Sequence, residues 1–360
     1  MPRATPDLPS RLHGLDALRG LAVLLMLEQH LGSWLWRGPA PGEAIADHAA
    51  FLGFNAAGGL AFPLFIGLSG ASNAQLAAHP RPALDATLAR RGVGLWMLGI
   101  ALNLVTPSWF SWGSFFALHM IGVATLLTPA LRRLSRAGLL AVMAAVLAAT
   151  PLAQHWLGTP MPLDNARMRD VTLAGGALRL AMVEGQYPVF PWLAVYVGGF
   201  VAGRDLRAAR VRSLGQLALA MVAAGGVACG FEVSEAVHPV LARAFRLPVP
   251  FFPASVTIVM LLLGATLLAV TLAARCEIRR PVAPTNVLVA LGRASLTVFV
   301  LHVWLFREAG PRLGLWRTLS PATTLAAIGL VGALTMGLAR RWQRVEYRYG
   351  AEWLVRKLAG

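Results

Sequence analysis

The 360-residue chain is poor in charge, in cysteine and above all in lysine. Charged residues make up 13% of it and hydrophobic ones 57%, whereas a water-soluble protein of this length carries about a quarter charged residues. That scarcity excludes a soluble globular enzyme. Two cysteines, Cys229 and Cys276, rule out a disulfide framework, and their apolar surroundings read as those of small buried hydrophobes. Lys357 is the only lysine, so arginine carries the net charge of +16. Such an excess fits nucleic acid or a membrane surface, and the positions of the arginines decide between them. Metal-ligand spacings, phosphate-binding glycine loops and nucleophile elbows are missing from any usable context. Nor is there a long polar stretch: the longest connections, about 158–186 and 232–252, are too short for a separate core.

What the chain has instead is 36 Gly, 23 Pro and 11 Trp, a mixture suited to kinked, closely packed helices with aromatic anchors. Ten apolar stretches reach the length of roughly 20 residues that crosses a bilayer: 15–36, 54–78, 86–106, 113–131, 137–157, 187–203, 213–231, 253–274, 285–306 and 321–339. The first is too long for a signal-peptide core and carries Asp16, Arg19, Glu28 and His30, so it reads as a membrane helix. An N-terminus in the cytoplasm, starting with Arg3 and Arg11, puts most of the 32 basic residues on that side. Both termini are then cytoplasmic, and the fold class is all-α, a polytopic helical bundle of about ten spans. Residues 1–360 form one domain, with 340–360 as a cytoplasmic tail. The basic excess reads as an orientation signal beside anionic lipid, leaving no role for nucleic acid.

Ionisable groups at membrane depth are costly, and those retained there are functional candidates. Arg19 and His30 are 11 residues apart, about three helical turns, so they share one face with roughly 16 Å between them. Asp16 lies one turn before Arg19 and can pair with it, while Glu28 points nearly opposite, toward another helix. His119 and His302 fall in two further spans, and His302 shares a face with Ser295. Three membrane histidines can line one cavity or serve three separate packing contacts. Outside the spans, His48 lies in the first outer loop beside Glu43 and Asp47, and Tyr187-Pro188-Val189-Phe190-Pro191-Trp192 opens the sixth stretch as an irregular cavity mouth. Arg90 and Arg91 open the third stretch, as phosphate ligands or orientation signals.

Several segments together resemble a known family. Arg11-Leu12-His13-Gly14-Leu15-Asp16-Ala17-Leu18-Arg19-Gly20-Leu21-Ala22 with Met26 and His30 is similar to the opening of membrane acyltransferases related to heparan-alpha-glucosaminide N-acetyltransferase. Phe62-Pro63-Leu64-Phe65 with Gly67 and Gly70, Arg90-Arg91-Gly92 with Asn103, Phe190-Pro191-Trp192-Leu193 with Gly203-Arg204, and Gly292-Arg293-Ala294-Ser295-Leu296 with Leu301-His302 follow in the same order. The resemblance spans residues 11–306, and the Arg19 to His30 spacing is also similar to the broader acyltransferase-3 group.

The resemblance implies an integral, multi-pass enzyme, expected in a bacterial inner membrane. It would move an acyl group, acetyl first, from cytoplasmic acyl-CoA to an extracytoplasmic glycan or glycolipid. Acyl-CoA is the donor substrate, no cofactor is bound permanently, and the partners are the bilayer, the donor, the acceptor and, in one arrangement, a second copy of the chain. His30 is the expected general base. The heparan enzyme uses a histidine of its first lumenal loop, and His48 stands at a similar offset, so acylation of His48 or His30 is the covalent version. His119 and His302 complete the catalytic candidates, with Asn103 as an oxyanion donor. Asp16, Arg19, Arg90 and Arg91 are the candidates for holding the CoA phosphates. A transporter or flippase for an anionic or glycan-linked solute is the competing reading, since broken helices and buried charge suit it equally. A purely structural subunit leaves the histidine set unexplained.

Overall fold

A computed structural model describes residues 12–79, 82–231, 233, 234, 236, 238–246 and 251–359. Arg3 and Arg11, assigned above to the cytoplasmic start, lie outside them. The first half contains α1 (His13–Leu35), α2 (Ala49–Ala57), α3 (Ala61–Ala77), α4 (Leu84–Val105), α5 (Ala117–Leu131) and α6 (Arg136–Trp156). The middle contains α7 (Gly176–Arg179), α8 (Val189–Arg207), α9 (Val211–Ala228), α10 (Pro239–Phe245) and α11 (Val256–Arg279). The chain ends with α12 (Val287–Arg293), α13 (Ser295–His302), α14 (Gly310–Arg312), α15 (Pro321–Gln343) and α16 (Ala351–Ala359). Among the described residues there is no strand, and the one β-bridge joins Trp36 to Leu319.

Several long helices start where the sequence offers a side-chain acceptor for the first free amides. Ser135, Ser255 and Ser320 accept from the backbone of Gly138, Ile258 and Thr323 and so begin α6, α11 and α15. At the centre runs α8, buried from Val189 to Leu206 apart from Phe190 and Arg204. It crosses α3 closely, because a Cβ on Gly70 would collide with the backbone of Tyr196 and Phe200. The outermost long helix is α15, which exposes Leu330, Leu334 and Leu338, as a lipid-facing helix should.

Each of the ten expected stretches is helical. Six helices are long and apolar enough to cross a membrane, or seven if the bent pair α12 and α13 with its continuation forms one span. The others fall short for physical reasons: α1 carries Asp16, Arg19 and Glu28, α5 is 15 residues long, and α8 ends in Arg204 and Asp205. Helices wrapped by neighbours or lining a polar cavity need no apolar face toward lipid. The cysteine reading requires correction. Cys229 is half-buried and Cys276 is exposed, because the latter sits on the face of α11 that also exposes Leu272 and Arg275.

The feature that shapes the interior is the break between α12 and α13, a 68° bend at Ala294. A Cβ on Gly292 would strike the backbone of Asp16, so α12 can approach α1 only with glycine there. At the other end of α1, the amide of Arg317 donates to Trp34 O and that of Leu319 to Leu35 O, both at 2.8 Å, while Arg37 donates back to Leu319 O. Thus α1 is fixed at both ends by the last third of the chain.

Candidate active site

A cavity of about 1630 Å³ runs alongside α1. It exceeds the roughly 300–1,000 Å³ of an ordinary small-molecule pocket, leaving room for two substrates. At one end His30 meets His302, with His30 Nδ1 2.7 Å from His302 Nε2. His302 Nδ1 is 3.0 Å from the carbonyl of Val298, which can only accept, so that nitrogen carries the proton. In the neutral pair His302 Nε2 is therefore the acceptor and His30 Nδ1 the donor. This assignment, read from the hydrogen-bond network, leaves His30 Nε2 with its lone pair free.

Aromatic rings hold the pair in place. Trp34, one turn after His30, stacks on its imidazole with centroids 4.7 Å apart, and Trp109 meets it edge-on at 5.8 Å. The loop bearing Trp109 is tied to the continuation of α13: Ser108 N–H donates to Glu308 at 3.2 Å, and Ser108 Oγ donates to Arg307 O at 3.1 Å. Phe62, Phe251, Phe252 and Tyr187 extend the wall, with Gln29, Asn165 and Gln186 as polar groups among them. Behind this mouth Glu184 is fully buried and bonded to Arg179 at 2.7 Å and Arg167 at 3.0 Å. Burial alone would push its carboxyl up, but the two guanidinium partners outweigh it and hold it below the usual range.

The other end of the cavity is a chamber of arginines. Arg19 lies 3.4 Å from Asp16 and donates to Ser72 Oγ on α3 at 2.8 Å. Arg293, at the end of α12, reaches the other oxygen of Asp16 at 3.4 Å, so one carboxylate orients two guanidiniums across the α1–α12 contact. Arg91 from α4 lines the same chamber, whereas Arg90 beside it does not. The chain's last segment closes the chamber with Glu346, Arg348, Glu352, Arg356 and Lys357.

The remaining candidates are elsewhere. His119 is buried between α4 and α5, where the amide of Phe116 donates to its Nδ1 at 3.4 Å and its ring packs on Gly99. Asn103 spends both amide hydrogens on carbonyls, those of Trp112 at 3.2 Å and Ser114 at 2.9 Å, and so ties down the loop that carries Trp109. His48 stacks edge-on against Trp36 and lies 3.1 Å from Glu43. The amide of Ala40, and then His48, hold the Glu43 carboxyl below its ordinary range. None of these three lines the cavity. Glu28 finds its partner on α2, accepting from Asn55 Nδ2 at 3.0 Å.

Sequence reasoning missed Arg293, Trp34, Trp109 and the basic tail. Trp34 was detectable, since it follows His30 by four residues on one helical face. Arg293 was in view within the Gly292-Arg293-Ala294-Ser295 segment but had no visible partner.

Residues 11–229 match the family model described as heparan-alpha-glucosaminide N-acetyltransferase, catalytic. Residues 204–360 match a second one, described as a protein of unknown function (DUF418). No curated protein matches the chain. Arg19 and His30 fall in the first matched segment, and Arg293, His302 and the basic tail in the second.

Proposed function

Because the chain belongs to the catalytic family of heparan-alpha-glucosaminide N-acetyltransferase, a family of membrane acetyltransferases, we propose that it transfers an acyl group across the bilayer. The donor in this reading is cytoplasmic acyl-CoA, most simply acetyl-CoA. The acceptor is a hydroxyl or amine of an extracytoplasmic glycan or glycolipid. One observation carries the proposal: His30, whose Nε2 keeps its lone pair in this tautomer, lines the cavity whose other end is the arginine chamber.

In the reaction, CoA phosphates bind at the arginine end, where Asp16 holds Arg19 and Arg293 apart and aimed. The acyl-pantetheine arm extends along α1 toward His30, a run of 11 residues or about 16 Å. His30 Nε2 takes the proton of the acceptor as its oxygen or nitrogen attacks the thioester carbonyl. As the tetrahedral intermediate collapses, the C–S bond breaks and the imidazolium returns the proton to the leaving thiolate, giving free CoA. His302 touches neither substrate in this scheme. It accepts from His30 Nδ1, keeping the tautomer whose lone pair faces the cavity, and shares the charge of the imidazolium. Trp34 and Trp109 hold the ring and exclude water from the thioester. The aromatic wall and the amides of Gln29, Asn165 and Gln186 suit a sugar, which offers an apolar face and a hydroxyl rim.

The topology belongs to the same proposal: ten spans, both termini cytoplasmic, and the whole chain working as one unit. The test is transfer of radiolabelled acetyl from acetyl-CoA by the purified protein in nanodiscs, with a panel of glycans. Wild type should label an acceptor, and His30→Ala should lose at least about 10²-fold at unchanged protein level. Full activity of His30→Ala would remove His30 from the mechanism. Solute movement without any acyl transfer would favour the transporter instead.

A further inference from the structure

The acyltransferase segment ends at residue 229, yet the cavity does not end with it. Its arginine end is floored by α16, which packs beneath α4 through Val355 and Leu358. What fixes this short helix is Glu352. Its Oε1 accepts from the amides of Leu296 and Thr297 at 2.6 and 3.0 Å, and its Oε2 from Thr297 Oγ1 at 2.5 Å. These are the free amides at the start of α13, so the tail is anchored where the broken helix begins. The same helix carries His302 at its other end.

With Glu352 so committed, the floor is left strongly basic. Arg356 and Lys357 line the cavity, and among the described residues no carboxylate lies within ion-pair distance of either. Arg91 enters from α4 and lines the same cavity as Arg356. Arg348 adds a fourth cation, its nearest carboxylate being Glu346 at 3.9 Å, with both side chains exposed. Like charges brought together around a cavity repel unless an anion occupies the space between them. Beside them, the Trp353 ring lies under Lys357 Nζ at 4.6 Å from its centroid, an indole face at the edge of the basic cluster.

We propose that the C-terminal tail forms the nucleotide site of the donor. Arg91, Arg348, Arg356 and Lys357 bind the phosphates of the 3′-phosphorylated adenosine diphosphate moiety of acyl-CoA, and Trp353 stacks on its adenine. The proposal rests on the acyltransferase reading and extends it from the chemistry to the part of the chain that recognises the donor. It divides the labour. The first matched segment supplies Arg19 and Arg91 at the phosphate end and His30 at the thioester, and the second matched segment supplies the rest of the handle by which CoA is held.

An anionic lipid headgroup offers the same phosphate chemistry, and the experiment separates the two sources. Lys357, the only lysine, can be followed by peptide mass spectrometry after amine-reactive labelling of the full chain in nanodiscs. In phosphatidylcholine, CoA is expected to slow Lys357 labelling about tenfold and 3′-dephospho-CoA to slow it less. In parallel, the Arg356→Gln/Lys357→Gln double variant is expected to raise KM for acetyl-CoA about tenfold with kcat retained, and to lose the preference for CoA over dephospho-CoA. If wild type transfers acetyl while CoA leaves Lys357 labelling unchanged and the double variant keeps its KM, the tail site is overturned and the enzymatic reading stands. If added phosphatidylglycerol protects Lys357 and CoA does not, the tail binds lipid and the proposal is equally overturned. If wild type neither binds CoA nor transfers acetyl, the acyltransferase reading itself fails.

Discussion

The two ends of the cavity are built on opposite principles. At the histidine end two imidazole nitrogens lie 2.7 Å apart inside an aromatic box, and orientation is fixed by one carbonyl and by stacking. At the arginine end Arg19 and Arg293 share one carboxylate, Asp16, while Arg91, Arg348, Arg356 and Lys357 line the same chamber. The first design selects a geometry and a tautomer; the second selects a charged ligand and tolerates variation in its pose. Substitutions at the two ends should therefore differ in kind: the histidine end should answer in kcat, the arginine end in KM.

The larger effect is expected at His302. His302→Ala removes the acceptor of His30 Nδ1–H and frees the ring to rotate or change tautomer, so kcat should fall by about 10²-fold with KM for acetyl-CoA little changed. His302→Gln can still accept through its amide oxygen and should recover part of the loss, accompanied by a shifted pH profile. A merely structural histidine would give neither the partial rescue nor the shift. Equal loss in KM would erase the contrast between the two ends.

Arg19 comes next. Arg19→Gln keeps a hydrogen-bonding group near Ser72 but loses the charge, and KM for acyl-CoA should rise about tenfold while kcat stays within a few-fold. Arg19→Lys should be intermediate, because an ammonium restores charge without the two-directional fork that reaches both Asp16 and Ser72. Steady-state kinetics over a range of acetyl-CoA concentration reads both. A fall in kcat with unchanged KM would move Arg19 from donor binding to the chemical step.

How much of this was legible before the fold was known follows from the range of each interaction. Arg19, His30 and the turn-related Asp16 lie on one helix, and helical periodicity alone brings them to one face. The ten helical stretches were equally local, being written in apolar length. The pairing of His30 with His302 closes a gap of 272 residues, and that of Asp16 with Arg293 one of 277, which no local pattern encodes. The break at Ala294 was also hidden, for it reflects the close α1–α12 crossing at Gly20 and Gly292 more than any helix-breaking residue. The basic tail looked like an orientation signal because its composition fits one. Only its position under the cavity distinguishes binding from topology.

The smallest effect should be at His48, and it bears on which histidine does the chemistry. The family resemblance offers His48 as the counterpart of a catalytic loop histidine, but its surroundings suit a different task. Its imidazole is engaged by Glu43 at 3.1 Å and by the ring of Trp36, the residue whose neighbours clasp the 317–319 segment. An imidazole in that position steadies the loop after α1 and has no opening onto the cavity. His48→Gln should thus leave kcat and KM within about twofold and the melting temperature nearly unchanged, since only one exposed interaction is weakened. The comparison of His48→Gln with His30→Ala in the same acetyl-transfer assay is decisive, because the covalent relay through His48 requires the former to be as inactive as the latter. Trapping labelled acetyl on His48 in wild type would reverse the assignment and make the aromatic box around His30 a binding feature alone.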